Sequence, residues 1–305
     1  MKVFVTGTVT LQLLARGDEV RALVRDASRA QTLARAGVDL FTGDLSDGGA
    51  LHRGMDGVDA VVHGAAMYEV GIPPSRRPAM FAANVTGTEH VLEAALDAGV
   101  RRVAYISTVA VFGNTQGQVV DESYTRTGPY TSFYEETKVQ AHAVALQFAA
   151  RGLPVSIAQP GGVYGPGDTS GMGGLMRDFA RGRLPFLPFA DTGLNFVHVE
   201  DVARGIVLVL DRGQVGQGYV LGGEIARVAD AFAALARITG RDLPRLRVPY
   251  VLLQLGSLVR PGLREVVTST KGVTFWASDA RAKSELGYAS RLLEPGLRDT
   301  FGVAG

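Results

Sequence analysis

Short apolar runs alternate with longer, helix-like stretches through the first 160 residues of the chain. Lys2-Val3-Phe4-Val5-Thr6-Gly7 reads as a buried strand ending in a turn glycine. Leu11, Leu13 and Leu14 followed by Gly17 predict a helix closed by its C-terminal glycine, and Glu19-Val20-Arg21-Ala22-Leu23-Val24 predicts a second strand. Strand, helix, strand is a parallel crossover unit. Val38 to Phe41, Ala60 to His63, Val103 to Ile106 and Val155 to Ala158 repeat the apolar strand pattern, separated by helix-length stretches such as Met80 to Ala98. The alternation predicts an α/β fold with a doubly wound parallel sheet of Rossmann type.

After Pro160 the chain is richer in Gly, Pro and Arg, with helical patterns at Leu175 to Arg181, Val199 to Leu210, Ala226 to Ile238 and Leu292 to Phe301. The expected division is a sheet-bearing domain over residues 1–160 and a smaller α/β domain over 161–305. The second would cap the carboxyl ends of the strands, where open α/β sheets bind ligands.

Tyr134 and Lys138 carry the candidate chemistry. Four residues apart on a helix, a phenol and an ammonium lie on one face. A phenol with an ordinary pKa of about 10 is a poor acid at neutral pH, and an adjacent cation lowers that value. Such a Tyr could pass a proton to a carbonyl oxygen. Taken alone, Tyr-x-x-x-Lys is more often a plain surface pair, so its meaning rests on the motifs around it.

Those motifs are Gly43-Asp44-Leu45, His63-Gly64-Ala65-Ala66, Asn84-Val85-Thr86-Gly87-Thr88, Tyr105-Ile106-Ser107-Thr108, the run from Pro160 to Asp168, and His198-Val199-Glu200-Asp201-Val202. Their order and spacing resemble the extended short-chain dehydrogenase/reductase family (NAD-dependent epimerase/dehydratase family) over nearly all 305 residues. The resemblance implies Tyr134 as proton donor and Thr108 as the hydroxyl that hydrogen-bonds a substrate carbonyl, with Ser107 as its fallback. Lys138 would tune Tyr134 and bind the nicotinamide ribose. A dinucleotide would lie along Gly7, Arg25, Asp44, Leu45, Gly64, Ala65, Ala66, Lys138, Pro160, Gly161 and Gly162. The family also implies a structural role for Asn84, a partial return of residues 195–222 to the main sheet, and a homodimer.

The second strand ends Val24-Arg25-Asp26. An Arg there accommodates a ribose 2′-phosphate, whereas an acidic residue accepts from a 2′-hydroxyl. Arg25, assisted by Arg29, therefore favours NADP, while Asp26 keeps NAD possible. One departure stands out: the family's Gly-x-x-Gly-x-x-Gly loop is absent, and Gly7 runs directly into Thr8-Val9-Thr10. That loop lets backbone N–H groups meet the cofactor diphosphate, so its loss should sharply weaken dinucleotide binding. Two accounts are open, a true deletion or a loop missing from the recorded sequence. The short first helix, with almost no turn before it, favours the second.

Thr108 is followed by Val109 and Ala110 rather than the acidic groups of sugar dehydratases, and Gln159-Pro160-Gly161-Gly162 lacks the Arg and Asn usual in sugar-nucleotide epimerases. These differences, with Trp276-Ala277-Ser278-Asp279 and Glu285-Leu286-Gly287-Tyr288, resemble the dihydroflavonol reductase-like branch. The implied activity is NADPH-dependent reduction of a small aldehyde or ketone. Its pocket would lie between Thr108, Tyr134, Tyr164 and the loop from Thr169 to Leu175, with Met67 and Tyr68 at the rim. The alternatives are a sugar-nucleotide epimerase with tightly bound NAD, for which Arg177, Arg181 and Arg183 could form an anion site, and a dinucleotide-sensing protein without turnover.

Composition adds exclusions. With 31 basic and 30 acidic residues and a net charge of +1, nothing favours nucleic acid as a partner. The absence of Cys removes disulfide and thiolate chemistry and fits a cytoplasmic location. The chain opens on a strand rather than a signal segment. The most apolar stretch, Val248 to Val259, is too short for a bilayer span and reads as a buried or dimer-facing helix. The five His have no acidic partners at metal-ligand spacing.

Overall fold

The computed structural model describes residues 1–7, 9–244 and 261–302, with side chains from 264 onward in the last segment. The stretch 248–259 lies outside the described residues. Strands β1 (Lys2–Thr6), β2 (Glu19–Val24), β3 (Asp39–Thr42), β4 (Ala60–His63), β5 (Arg102–Ile106) and β6 (Val155–Pro160) alternate with helices. These are α1 (Thr10–Ala15), α2 (Gln31–Arg35), α3 (Gly48–Met55), α4 (Arg77–Phe81), α5 (Gly87–Asp97) and α6 (Phe133–Ala150). There follow β7 (Gly162–Tyr164), α7 (Gly171–Ala180), β8 (Gly193–His198), α8 (Val199–Arg212), β9 (Gly218–Leu221), β10 (Glu224–Arg227), α9 (Val228–Thr239), α10 (Pro261–Thr268) and α11 (Leu293–Phe301).

Seven strands form one sheet in the order β3-β2-β1-β4-β5-β6-β9, with every pairing parallel. Both faces are covered, which is why β4 and β6 are buried along their whole length and read as continuous apolar runs. Alternation along β1 divides the core in two. Val3 and Val5 meet Leu13 of α1 and Ile206, Val209 and Leu210 of α8 on one face. Phe4 meets Leu51 and Met55 of α3 on the other, where α5 and α6 add Val91, Leu92, Ala141, Ala145 and Phe148.

A smaller three-stranded sheet, β10-β8-β7, carries the second lobe, in which Tyr164, Phe196 and Phe232 pack among α7, α9 and α11. The predicted single helix from Met80 to Ala98 is instead α4, a π-helical turn at Ala82–Thr86, and α5. Such turns concentrate at functional sites.

A buried ion cluster ties α8 to the segment before α11. Asp201 is fully buried and accepts from the backbone N–H of Arg291 at 2.8 Å, from its guanidinium at 3.1 Å, and from Arg204. Burial alone would raise the Asp201 carboxyl, but these donors outweigh it and hold it below its ordinary value. Asp201 is the buried member, while Arg204 is exposed and Arg291 partly so; removing it takes the acceptor from the Arg291 N–H and guanidinium. Asp201→Ala is therefore expected to cost about 2 kcal/mol of stability by urea unfolding. A loss below about 1 kcal/mol would show that the arginines find other partners.

Candidate active site at the carboxyl edge of the sheet

Helix α6 sets the position of Tyr134. Ser132 caps it, its hydroxyl accepting from Glu135 N at 3.1 Å, and the N–H of Phe133 donates to Glu265 of α10. Tyr134 follows in the first turn. Its hydroxyl has no hydrogen-bond partner among the described residues. Lys138, one turn later, is buried, and its ammonium donates to Ile106 O at 2.9 Å and Tyr105 Oη at 3.4 Å. It also lies 5.1 Å from the centre of the Tyr105 ring.

The electrostatics correct one expectation. Burial lowers Lys138 to about 8, while burial and the facing phenols of Tyr68 and Tyr105 push Tyr134 well above its ordinary value. Among the described residues no hydrogen bond joins Lys138 to Tyr134. The ammonium is turned toward the end of β5, so it does not lower the phenol in this state. Tyr68, exposed on one side, places its ring edge-on against Tyr134 with centroids 4.7 Å apart.

Thr108 stands just past β5 and caps the short turn Val109–Phe112, on which α6 packs. Its oxygen accepts from Ala110 N at 3.2 Å, which leaves its own proton free to donate. Ser107 is buried and bonded to His142 Nδ1 at 2.9 Å, so of the two hydroxyls Thr108 is the one not already engaged with another side chain.

The residues expected to hold a dinucleotide gather at the ends of β1 to β4. A cavity of about 450 Å³ is lined by Thr6, Arg25, Asp44, Leu45, Ala65 and Ala66, among others. Gly7, at φ 116°, crosses Gly64 so closely that a Cβ would lie 3.0 Å from its carbonyl carbon. Asp44 accepts from Ser46 Oγ and N at 2.6 and 2.8 Å, contacts that hold its carboxyl below the ordinary value. Gly161 packs closely against β8: a Cβ there would lie 2.3 Å from Asn195 O. Pro160 ends β6, and Gly162 opens β7 against Leu194.

These residues fit the adenosine end of a dinucleotide, with an exposed Arg25 at the mouth and small residues along the wall. The diphosphate end is different. In the sequence Gly7 is followed directly by Thr8 and Val9, with no glycine-rich turn between β1 and α1. Helix α1 has six residues, and Val9 before it offers no side-chain cap.

A buried polar network links these parts, and the sequence reading missed its connections. Asn84 accepts from Met67 N at 2.6 Å and donates to Met67 O and Thr137 Oγ1, each at 3.0 Å. Thr137 donates to Tyr134 O at 2.8 Å. Asn84 thus fixes both the loop before Tyr68 and the turn that carries Tyr134. Its place inside a predicted helix, where its propensity is poor, was the available signal.

The topology and the ligand-facing strand ends are those of a dinucleotide-binding α/β protein. A model of the NAD dependent epimerase/dehydratase family matches residues 4–222, and the chain belongs to that family. A Synechocystis sp. protein named as a dihydroflavonol 4-reductase is 33% identical over 97% of this chain and 90% of its own length. A Stigmatella aurantiaca 4-hydroxy-2-methyl-3-oxo-4-farnesyl-3,4-dihydroquinoline-1-oxide ketoreductase is 29% identical over 100% and 97%. Among solved structures, gox2253 superposes with a TM-score of 0.84 at 32% identity, covering 98% of this chain and 96% of that one. A dTDP-glucose 4,6-dehydratase from Streptomyces venezuelae, solved with NAD, gives 0.81 at 27% over 99% and 96%. Among the described residues no helix is long and apolar enough to cross a membrane, and no cluster could hold a metal ion.

Proposed function

We propose that the chain is an NADP(H)-preferring oxidoreductase that reduces a small aldehyde or ketone. The observation that supports it is that Thr108, just past β5, and Tyr134, in the first turn of α6, each keep a hydroxyl proton free to donate, in a fold with a strand-end cavity suited to adenosine. A bound nicotinamide would supply the hydride. Thr108 would donate a hydrogen bond to the substrate oxygen, and Tyr134 would give up its phenolic proton as negative charge grows there. Lys138 would hold the nicotinamide ribose and place positive charge near the phenol. The reductase and ketoreductase names among the relatives support this direction of chemistry.

NADP is favoured by what Asp26 does. Its carboxylate accepts from Ser28 N at 2.9 Å and Ser28 Oγ at 2.6 Å, which turns it to capping the next turn. Arg25 is left as the exposed charge at the cavity. Arg25→Ala is expected to weaken NADPH binding about tenfold, the size of one hydrogen bond to a charged group, and to leave NADH binding unchanged. Calorimetric titration with both cofactors measures this; equal losses for the two would assign Arg25 a general role.

The test of the activity is oxidation of NADPH in the presence of a panel of aldehydes and ketones, small and polycyclic, beside a dTDP- and UDP-sugar panel. Turnover of sugar nucleotides alone would favour the epimerase. Against that alternative, Arg177 donates to Asp168 O and Arg183 pairs with Asp178 at 2.7 Å, so two of the three arginines of the supposed anion site already have partners.

A further inference from the structure

Thr6, His63 and Tyr105 stand side by side on three neighbouring strands, since the register pairs Thr6 with His63 and His63 with Tyr105. All three are buried, as are Thr88 of α5 and Lys138. Burial and the charge of Lys138 lower His63 to about 3, so its ring is neutral, with one N–H and one acceptor nitrogen. The hydrogen bonds then have one consistent assignment. Thr88 donates its single proton to Asn84 O at 2.7 Å and therefore accepts from His63 Nε2 at 2.9 Å. His63 Nδ1 is left as acceptor for Thr6 Oγ1 at 2.6 Å, and Thr6 accepts from Ala65 N at 3.4 Å.

Tyr105 stands beside this chain. Burial pushes its phenol up and keeps it protonated. Its oxygen accepts from Lys138 at 3.4 Å, and its ring lies beside that of His63 with centroids 5.7 Å apart. A separate line of donation runs from Ala65 N through Thr6, His63 and Thr88 to the backbone at Asn84. Buried polar groups satisfied by one another in this way are held rigidly.

We propose that Tyr105 is a positioning residue that acts through Lys138, its phenolic oxygen fixing the ammonium against the end of β5 while its ring is seated beside His63, whose hydrogen bonds run through Thr6 to Ala65 at the wall of the dinucleotide cavity. The proposal rests on the reading of Lys138 as a group that serves the bound dinucleotide. The titratable groups facing Lys138 are His63 from β4, Tyr105 from β5, and Tyr134 and His142 on its own helix; Thr88 from α5 is neutral. His142 is lowered by burial to about 4, and both phenols are raised, so a transition near 8 belongs to Lys138. Tyr105 Oη is one of its two oxygen acceptors.

The chain has four lysines, Lys2, Lys138, Lys271 and Lys283, so lysine-labelled NMR of the apo protein follows each one separately. In the wild type the Lys138 midpoint is expected near 8. Tyr105→Phe keeps the ring, removes the acceptor, and is expected to lower that midpoint by about one pKa unit. The alkaline limb of kcat for carbonyl reduction should move down by the same amount. Site-specific 3-fluorotyrosine at position 105 keeps the ring, weakens its oxygen as an acceptor, and should give a smaller shift in the same direction. If Tyr105→Phe fails to fold, the fluorinated protein carries the test. Unchanged Lys138 midpoints in these variants would overturn the proposal. A shifted midpoint in a protein that reduces no aldehyde or ketone with NADPH or NADH would instead refute the proposed activity and leave the positioning of Lys138 standing.

Discussion

Tyr134→Phe is expected to lower kcat for carbonyl reduction by about 10²- to 10⁴-fold, the usual contribution of a positioned general acid. The argument is geometric. The phenol stands in the first turn of α6, its backbone carbonyl held by Thr137 and its ring by Tyr68, so the substitution deletes one oxygen and little packing. NADPH binding and the unfolding midpoint should change little, which separates lost proton transfer from lost structure. The raised phenol of the ligand-free protein is fully protonated at neutral pH, the state needed for reduction. Activity should fall above about pH 8, where Lys138 loses the charge that favours proton release from the phenol. Steady-state kinetics across pH settles both points. A Phe variant within tenfold of wild type would mean that the proton comes from elsewhere.

Much of this site was legible in the sequence because its chemistry sits at fixed chain spacing. Tyr134 and Lys138 share one helix at i and i+4, Thr108 follows an apolar strand, and the resemblance of the surrounding motifs to the family supplied their roles. The six apolar runs of the first 160 residues became the first six strands of the main sheet for a related reason: a parallel strand covered on both faces has no polar side to blur the pattern. β7 and β10 escaped notice because they are short and only partly buried.

What lies across the sheet was not legible. No spacing in the chain announces that Thr6, His63 and Tyr105 share a row, since that follows from the register of β1, β4 and β5. The same holds for the direction of Lys138. Helical spacing says that it shares a face with Tyr134, but only the tertiary structure shows Ile106 O and Tyr105 Oη within reach of the ammonium. Gly161 is a further case: the glycine is legible in the sequence, but its close approach to Asn195 of β8 is not.

Inserting a seven-residue segment with Gly-x-x-Gly-x-x-Gly spacing between Gly7 and Val9 is expected to tighten NADPH binding by about 100-fold. A cavity suited to adenosine and the Arg25 charge are already in place, while only Thr8 separates Gly7 from Val9, so no glycine-rich turn brings backbone N–H groups close to a diphosphate. Each hydrogen bond from a backbone N–H to a charged oxygen is worth about 1.5–3 kcal/mol, so two new ones suffice for the expected gain. Glycine is needed because only a backbone without Cβ approaches that closely, as Gly7 already does against Gly64. Calorimetric titration of the inserted and parent chains, with Arg25→Ala in both, measures the gain and shows whether it adds to the Arg25 effect. Additive effects would place the new contacts at the diphosphate, apart from the 2′-phosphate. An insertion that left affinity unchanged would show that the shortened join is compatible with full dinucleotide binding, and that the diphosphate is held by groups outside the first strand-to-helix turn.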